Sequence, residues 1–262
     1  MDKLPLAAVF SFVIFSAVAA QEQPAPRGGE KNFSAAECIK QLKEHGATVF
    51  TRGNAVIEVS ANRAKIGDDE LALMTGFTEM TDLSLEATQI TAAGLVHLNR
   101  LQKLQWLNLY RCRIGDAGLR QLSGQKGLQY LPVGEANITD AGLVHLQDMT
   151  QLVYLGLRGN QITDAGLRHL QQLTNLTGLY LGETKITDAG LAHLQRMKKL
   201  QRLWLGQTAV TDKSVPVLAE LRSLRELDLR ETRMSSKGIQ QLRQRLPKCR
   251  IVWNNQPARN RS

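Results

Sequence analysis

One spacing dominates this sequence: apolar residues recur every 24 positions. An isoleucine opens each unit, or a valine or methionine in the last two copies: Ile66, Ile90, Ile114, Ile138, Ile162, Ile186, Val210 and Met234. A second aliphatic residue follows five positions later each time, from Leu71 to Ile239. Such a chain folds by stacking similar units, because one unit cannot bury its own apolar edge. The spacing predicts a repeat structure over residues 66–245.

Each unit combines two local patterns. Pairs of leucines separated by one residue, as at 155–157, alternate in the manner of a strand. The segment that starts at Thr139 has helical spacing, with Leu143 and Leu146 on one face. Thr139 stands where a helix N-cap belongs, and Asp140 suits the positive end of a helix. Eight stacked units predict an α/β solenoid, with parallel strands on its concave face and short helices on its convex face.

The unit Ile-Thr-Asp-Ala-Gly-Leu, with a leucine three residues further on, stands at 138–143 and 162–167. It resembles 24-residue leucine-rich repeats of exported bacterial proteins, notably of planctomycete type, and the class related to F-box-associated repeats. The resemblance implies a leucine-rich-repeat solenoid with a generic protein-binding role. It also implies a structural role for Cys112, which falls in the column where such repeats place Asn, Cys or Thr.

Segments on both sides of the repeats have the features of caps. Residues 34–37 read as a capping box that opens an amphipathic helix ending at Gly46. Strands over 48–50 and 55–59 would cover the first edge of the sheet, which gives an N-terminal cap over residues 33–65. A last strand, with a buried Trp253 closing the core, is expected within a C-terminal cap and basic tail over residues 246–262.

The first 20 residues differ from the rest of the chain. Lys3 precedes an apolar run over residues 4–18, and small residues follow it, as in a secretory signal peptide. The run is short for a bilayer span and contains Pro5, which favours cleavage over an uncleaved anchor helix. Residues 21–32 are polar and rich in Pro and Gly, which indicates a flexible linker. The expected location is therefore secreted or periplasmic, with no membrane span after cleavage.

Residues that flank the inward leucines of each strand should point out of the concave face. All four tyrosines and two of the three tryptophans occupy these positions, whereas all six phenylalanines lie elsewhere. Tyr and Trp suit a surface that is wet when free and dry when bound. Strand preference is the alternative explanation, but it would admit Phe equally. The predicted partner-binding residues are Trp106, Tyr110, Tyr130, Tyr154, Arg158, Tyr180, Arg202 and Trp204.

The charge distribution narrows the choice of partner. The net charge is +9, but eight cations and no acidic residue lie from Arg233 onward, so the repeats before it are nearly neutral. A neutral aromatic face suits a protein or peptide, with a glycan as a further option, and does not suit nucleic acid. These features predict an exported, monomeric, non-enzymatic binding scaffold. The alternatives are a structural component of the cell envelope held by the basic C-terminus, and an accessory subunit of an enzyme.

Two recurring columns look like metal ligands, yet we expect no metal, cofactor or catalytic residue. The column His97, His145, His169 and His193 would lie on helices about 8–10 Å apart, whereas zinc ligands lie about 2 Å from one ion. The recurring aspartates fail as a calcium array for the same reason. The sequence holds no phosphate loop or nucleophile elbow. Its three cysteines lie at the start of the chain, in an early repeat and at the far end, too far apart for an internal disulfide.

Overall fold

The computed structural model describes residues 33–254, which form one ten-stranded sheet whose strand order follows the chain. The strands are β1 (Thr48–Arg52), β2 (Ala55–Ser60), β3 (Asp82–Ser84), β4 (Trp106–Asn108), β5 (Tyr130–Pro132), β6 (Tyr154–Gly156), β7 (Gly178–Tyr180), β8 (Arg202–Trp204), β9 (Glu226–Asp228) and β10 (Arg250–Val252). β1 and β2 pair antiparallel, and each later strand pairs parallel to the one before it. This sheet, with helices between its strands, confirms the predicted α/β solenoid. The predicted signal peptide, linker and residues 255–262 lie outside the described residues.

Short helices connect the strands on the side of the solenoid opposite the sheet. The α-helices are α1 (Ala35–Glu44), α2 (Asp68–Ala72), α3 (Gly115–Leu122), α4 (Asp140–Leu143), α5 (Asp164–Leu167), α6 (Val215–Glu220) and α7 (Ser236–Arg245). In some repeats a 3-10 helix forms part or all of the connecting segment. These 3-10 helices are Gly94–Arg100, Val144–Leu146, Arg168–Leu170, Gly190–Leu194 and Asp212–Ser214. Thr139 caps α4 as predicted, because its hydroxyl accepts from the backbone N–H of Ala141.

The core is a stack of leucines in register. Residues 24 positions apart pair across neighbouring strands, so Leu155 lies beside Leu179 and Leu179 beside Leu203, all buried. Burial of each such side chain contributes about 1.5–3 kcal/mol. The paired segment is shortest between β4 and β5, where only Trp106 and Tyr130 pair. Pro132 accounts for this, because it has no N–H to donate to the neighbouring strand.

The Ile-Thr-Asp-Ala-Gly-Leu unit also connects each repeat to the next. Asp140 accepts two hydrogen bonds from Thr163, from its N–H at 2.8 Å and from its hydroxyl at 2.5 Å. Gly166 packs against the same carboxylate, and a Cβ there would lie 2.3 Å from Asp140 Oδ1. Equivalent carboxylate bonds join five further pairs: Asp68–Thr91, Asp116–Thr139, Asp164–Thr187, Asp188–Thr211 and Asp212–Ser235. We call these contacts the Asp–Thr ladder.

A second column satisfies the backbone where each strand ends. Asn160 is buried; its amide donates to the carbonyls of Val133 and Leu157, and its carbonyl accepts from the N–H groups of Ala136 and Ile138. The buried Cys112 occupies the same column and donates from Sγ to the carbonyl of Leu85 at 3.0 Å. The thiol therefore has the structural role that the resemblance implies.

The two ends of the sheet are covered to different degrees. Ser34 and Glu37 form the capping box of α1, and α1 with the β1–β2 pair buries Leu42 and Val59 against the core. At the other end the prediction of a buried Trp253 is wrong. Trp253 is half-buried, as are Ile251 and Val252 of β10, because no further strand follows β10 among residues 33–254.

Candidate binding surface on the sheet

The outward positions of β3 to β9 form one surface, which we call the sheet face. All eight predicted site residues lie on it or at its edge. Trp106, Tyr130, Tyr154 and Arg202 begin their strands, Tyr180 and Trp204 end theirs, and Tyr110 and Arg158 follow two residues beyond β4 and β6. The central leucine of each of these strands is buried, so its neighbours point the other way. The aromatic residues are half-buried and the two arginines are exposed.

Three of these aromatic side chains are in direct contact. The ring of Tyr180 stacks on that of Trp204, with centroids 3.8 Å apart and an interplanar angle of 4°. Tyr154 meets Tyr180 nearly at a right angle, with centroids 4.9 Å apart and an angle of 84°. Contacts of both kinds contribute about 0.5–1.5 kcal/mol beyond area burial. We call Tyr154, Tyr180 and Trp204 the aromatic cluster.

Two glycines give Tyr154 its orientation. A Cβ on Gly178 would lie 2.9 Å from Tyr154 Cδ2, and one on Gly156 would lie 3.0 Å from the Tyr154 hydroxyl. The ring therefore lies down on the backbone of β6 and β7, while Tyr180 stands beside it. Burial, followed by the proximity of Tyr180, raises the pKa of the Tyr154 phenol far above its usual range. Tyr154 is consequently neutral and presents a flat apolar surface.

The indole of Trp204 has an unused donor. Its Nε1 is buried and makes no hydrogen bond within residues 33–254. On the neighbouring strand, Asp228 is already engaged, because its carboxylate accepts from Arg230 at 2.6 Å. A buried donor without an acceptor is costly, at about 1–3 kcal/mol. The aromatic cluster therefore holds one buried donor that has no acceptor among the described residues.

Tyr110 is held by charged neighbours rather than by other rings. Its hydroxyl donates to Glu135, which also accepts from Arg111 Nε at 2.8 Å. The Arg111 guanidinium lies 5.2 Å from the centre of the Tyr110 ring. Burial, and then the bond to Glu135, raises the pKa of Tyr110, while Arg111 lowers the pKa of the Glu135 carboxyl. Glu135 thus remains an acceptor that fixes the phenol.

Arg158 is paired in the same manner, with Glu183, whose Oε1 accepts from Arg158 Nε at 3.1 Å. Glu135 and Glu183 were not predicted to matter, yet both stand just beyond the strand ends with left-handed backbone angles, φ 51° and 57°. The spacing in the sequence could have indicated these pairs, because each glutamate lies 25 residues after the Tyr110 or Arg158 side chain that it binds. Trp106 and Tyr130 pair in register on β4 and β5, without a ring contact to each other.

Two neighbouring carboxylates, whose pairing the sequence did not reveal, lie where β2 borders the sheet face. Glu58 of β2 pairs in register with Asp82 of β3, next to Trp106 of β4. Burial raises the pKa of both carboxyls, and Asp82 raises that of Glu58 further. Near the aromatic cluster the exposed charge is Arg202 instead, which makes no ion pair with any described residue. The surface is therefore acidic at β2 and β3, whereas beside the cluster the exposed Arg202 lies in register with Glu226 of β9.

The metal-ligand residue types and cysteines of residues 33–254 form no further candidate site. No group of three or more His, Cys, Asp or Glu side chains in this part of the chain is arranged to hold a metal ion. Cys38, Cys112 and Cys249 are free thiols. None of the helices described is long and apolar enough to cross a membrane.

Comparisons with known proteins agree with this fold. Residues 100–123 and 149–170 match the leucine-rich repeat family profile. Among solved structures, internalin C2 of Listeria monocytogenes is similar, at 21% identity and a TM-score of 0.59, over 84% of this chain and 92% of that one. No curated protein matches significantly. The chain thus has a leucine-rich-repeat fold, and two of its segments match the family profile.

Two plant receptors have the same architecture over part of their longer chains. The ectodomain of the Arabidopsis receptor kinase HAESA, solved with an IDA peptide hormone, is 19% identical with a TM-score of 0.64. It matches over 84% of this chain, which spans only 41% of the receptor chain. The plant peptide hormone receptor RGFR1, solved with RGF2, is 17% identical with a TM-score of 0.53, over 81% of this chain and 37% of the receptor. These likenesses establish the fold alone.

Proposed function

We propose that the protein is a non-enzymatic scaffold that binds an extended peptide, or an extended segment of a protein, across its sheet face. The observation that carries this proposal is the aromatic cluster of Tyr154, Tyr180 and Trp204, which is half-buried on a sheet whose other side already holds the core. Tyr and Trp dominate the energetics of many binding surfaces, because each buries a large apolar area and keeps one polar group.

The proposal assigns different roles to the eight residues. The aromatic cluster would bury apolar side chains of the partner against its rings. Arg202, exposed beside the cluster, would bind a carboxylate or carbonyl. Trp106 and Tyr130 would extend the apolar contact toward β4. Tyr110 and Arg158, each fixed by a glutamate, would form a rigid rim that loses little entropy on binding.

The solved relatives support a peptide partner over a glycan. Two of the similar structures are plant receptors determined with peptide ligands. We transfer from them only the kind of partner, because the sequence identity is low and this chain spans less than half of either receptor chain.

The proposal includes export and a division of the chain. Residues 1–20 would be a cleaved signal peptide and 21–32 a linker, followed by a cap to residue 65, eight repeats to residue 245 and a C-terminal cap to residue 262. The mature protein would be a secreted or periplasmic monomer. Its repeats would be of the 24-residue type found in planctomycete-like exported proteins. The amino-acid pattern supports these statements. N-terminal sequencing of the purified native protein would test the cleavage, and light scattering the monomer.

A selection experiment tests the binding surface. Random dodecapeptides displayed on phage would be selected on the wild-type protein, and the dissociation constants of selected peptides measured by calorimetry. We expect Tyr154→Ala with Tyr180→Ala to weaken binding at least about tenfold, because hot-spot aromatics contribute about 2 kcal/mol or more each.

The matched control is Val96→Ala with Val144→Ala, two exposed apolar residues on the helix side, which should leave binding unchanged. Peptides that bind the tyrosine double variant as tightly as the wild type would contradict the proposal. Equal thermal unfolding of the two double variants would show that lost binding is not lost folding.

A further inference from the structure

The last layer of the solenoid, α7 with β10, carries charge of one sign. We call residues 236–254 the C-terminal end. Its five cations are all exposed: Lys237, Arg243, Arg245, Lys248 and Arg250. No acidic residue occurs from position 232 to the end of the sequence. The inward side of α7 is apolar and buried through Ile239 and Leu242, so the cations are displayed on a fixed surface.

These cations are not neutralised within residues 33–254. In earlier repeats, cations pair with acids one layer away; Lys103 Nζ lies 2.6 Å from Glu79, for example. None of the ion pairs among the described residues includes a cation of the C-terminal end. The local field is therefore positive and available to an outside partner.

The same end exposes part of the hydrophobic core. Ile251, Val252 and Trp253 are only half-buried, and Ile251 and Trp253 pack against the core from its last edge. Burial raises the pKa of the neighbouring Cys249 thiol to about 11, which reflects apolar surroundings. A strip of aliphatic and aromatic side chains thus lies in the same layer as five cations.

We propose that the C-terminal end docks on the surface of an anionic lipid bilayer. Such a surface attracts clustered Lys and Arg, and its interfacial region accommodates Trp beside aliphatic residues. A second copy of this end would bring five cations against five. A nucleic acid would satisfy the cations, but its phosphate backbone would leave Ile251 and Val252 without an apolar partner. This inference is independent of peptide binding on the sheet face.

Vesicle binding tests the proposal with the mature protein proposed above, residues 21–262. The vesicles are phosphatidylcholine alone, or phosphatidylcholine with phosphatidylglycerol in a two-to-one ratio, and bound protein is measured by co-sedimentation. We expect binding to the anionic vesicles only, and its loss in about 0.5 M salt, where charges are screened within about 4–5 Å. Each cation near an anionic surface contributes about fivefold to the partition coefficient, so Lys237→Glu, Arg243→Glu and Lys248→Glu together should lower it at least about 100-fold.

The control variant changes the net charge by the same amount, but in earlier repeats rather than at the C-terminal end. Arg100→Glu, Arg120→Glu and Lys126→Glu replace three exposed cations of earlier repeats and should retain most of the binding. An equal loss in both triple variants would overturn the proposal, because net charge rather than the C-terminal end would then govern binding. So would binding to a DNA duplex with none to anionic vesicles.

A tryptophan readout locates the contact. Trp106→Phe with Trp204→Phe leaves Trp253 as the single tryptophan of the chain. Lipids brominated near the head group should quench its fluorescence on anionic vesicles and not on neutral ones. Vesicle-bound protein whose Trp253 is not quenched would place the contact elsewhere in the chain and would overturn the inference.

Discussion

The connecting segments and the sheet face are built on the same period, but they use it in opposite ways. In the Asp–Thr ladder, Asp140 and Asp164 repeat the same two hydrogen bonds, unit after unit. On the sheet face the first strand position changes from Tyr154 to Gly178 to Arg202 in three successive units. Residues that recur hold neighbouring units together, whereas residues that do not recur are free to recognise something outside the chain.

The energetic reason is clearest at Asn160, which is buried and satisfies backbone N–H groups that would otherwise be left without partners inside the protein. The ladder carboxylates bind N–H groups that are part-buried or exposed. An unsatisfied buried group costs about 1–3 kcal/mol. Most aromatic and arginine side chains of the sheet face are free of this constraint because solvent reaches them, and the buried Nε1 of Trp204 is the exception. Three substitutions, from the largest expected effect to the smallest, test how far this contrast holds.

Asn160→Ala should be the most damaging of the three. It leaves the N–H groups of Ala136 and Ile138 without their acceptor, and we expect a loss of about 3 kcal/mol in the free energy of unfolding by urea. Asn160→Thr should cost about half as much, since Thr184 in the same column still donates to a strand carbonyl. A loss below about 1 kcal/mol for the alanine variant would mean that water replaces the side chain, and the contrast would fail.

Gly166→Ala should have an intermediate effect. The new methyl would lie 2.3 Å from Asp140 Oδ1, so the ladder bond to Thr163 must shift, and we expect a loss of about 1–3 kcal/mol. Gly124→Ala is the matched control, because a Cβ there meets nothing within 4 Å. Its urea midpoint should equal or exceed that of the wild type. Equal midpoints for both variants would show that the glycine is not needed for the close approach.

Glu58→Gln, on β2 beside the sheet face, should stabilise the protein slightly. The folded-state pKa of Glu58 is raised by burial and by Asp82, so ionisation disfavours the folded state as the pH rises through that pKa. We expect a gain of a few tenths of a kcal/mol at pH 7, because solvent screens the partly exposed pair. The gain should vanish below about pH 4, where the carboxyl is protonated in both states. A loss at pH 7 would show that the carboxylate is structural.

The sequence predicted the parts of the fold that depend on period alone. The repeated leucines located the strands, the buried column and the helical caps, because side chains 24 positions apart stack in register. It also placed Tyr154, Tyr180 and Trp204 on the same face. It could not predict that two rings stack and the third lies flat, since side-chain rotamers and the space beside Gly178 decide that.

The sequence did not predict the contacts between neighbouring units. Asp140 was interpreted as a first-turn residue of its own helix, and its bonds to Thr163 became visible only when the next unit was in place. Glu135 was overlooked because it lies just outside the strand columns. Trp253 was predicted to be buried by analogy with earlier strands, although the covering layer that buries those strands is missing beyond β10 within the described residues.

The ladder has a consequence for how the molecule comes apart. Each carboxylate belongs to one unit and each threonine to the next, so a unit that unravels breaks bonds in both of its neighbours. Local opening in the middle of the stack therefore carries a penalty at two junctions, while fraying at an end carries it at one. A chain joined in this way should lose its structure from the termini inward, or all at once.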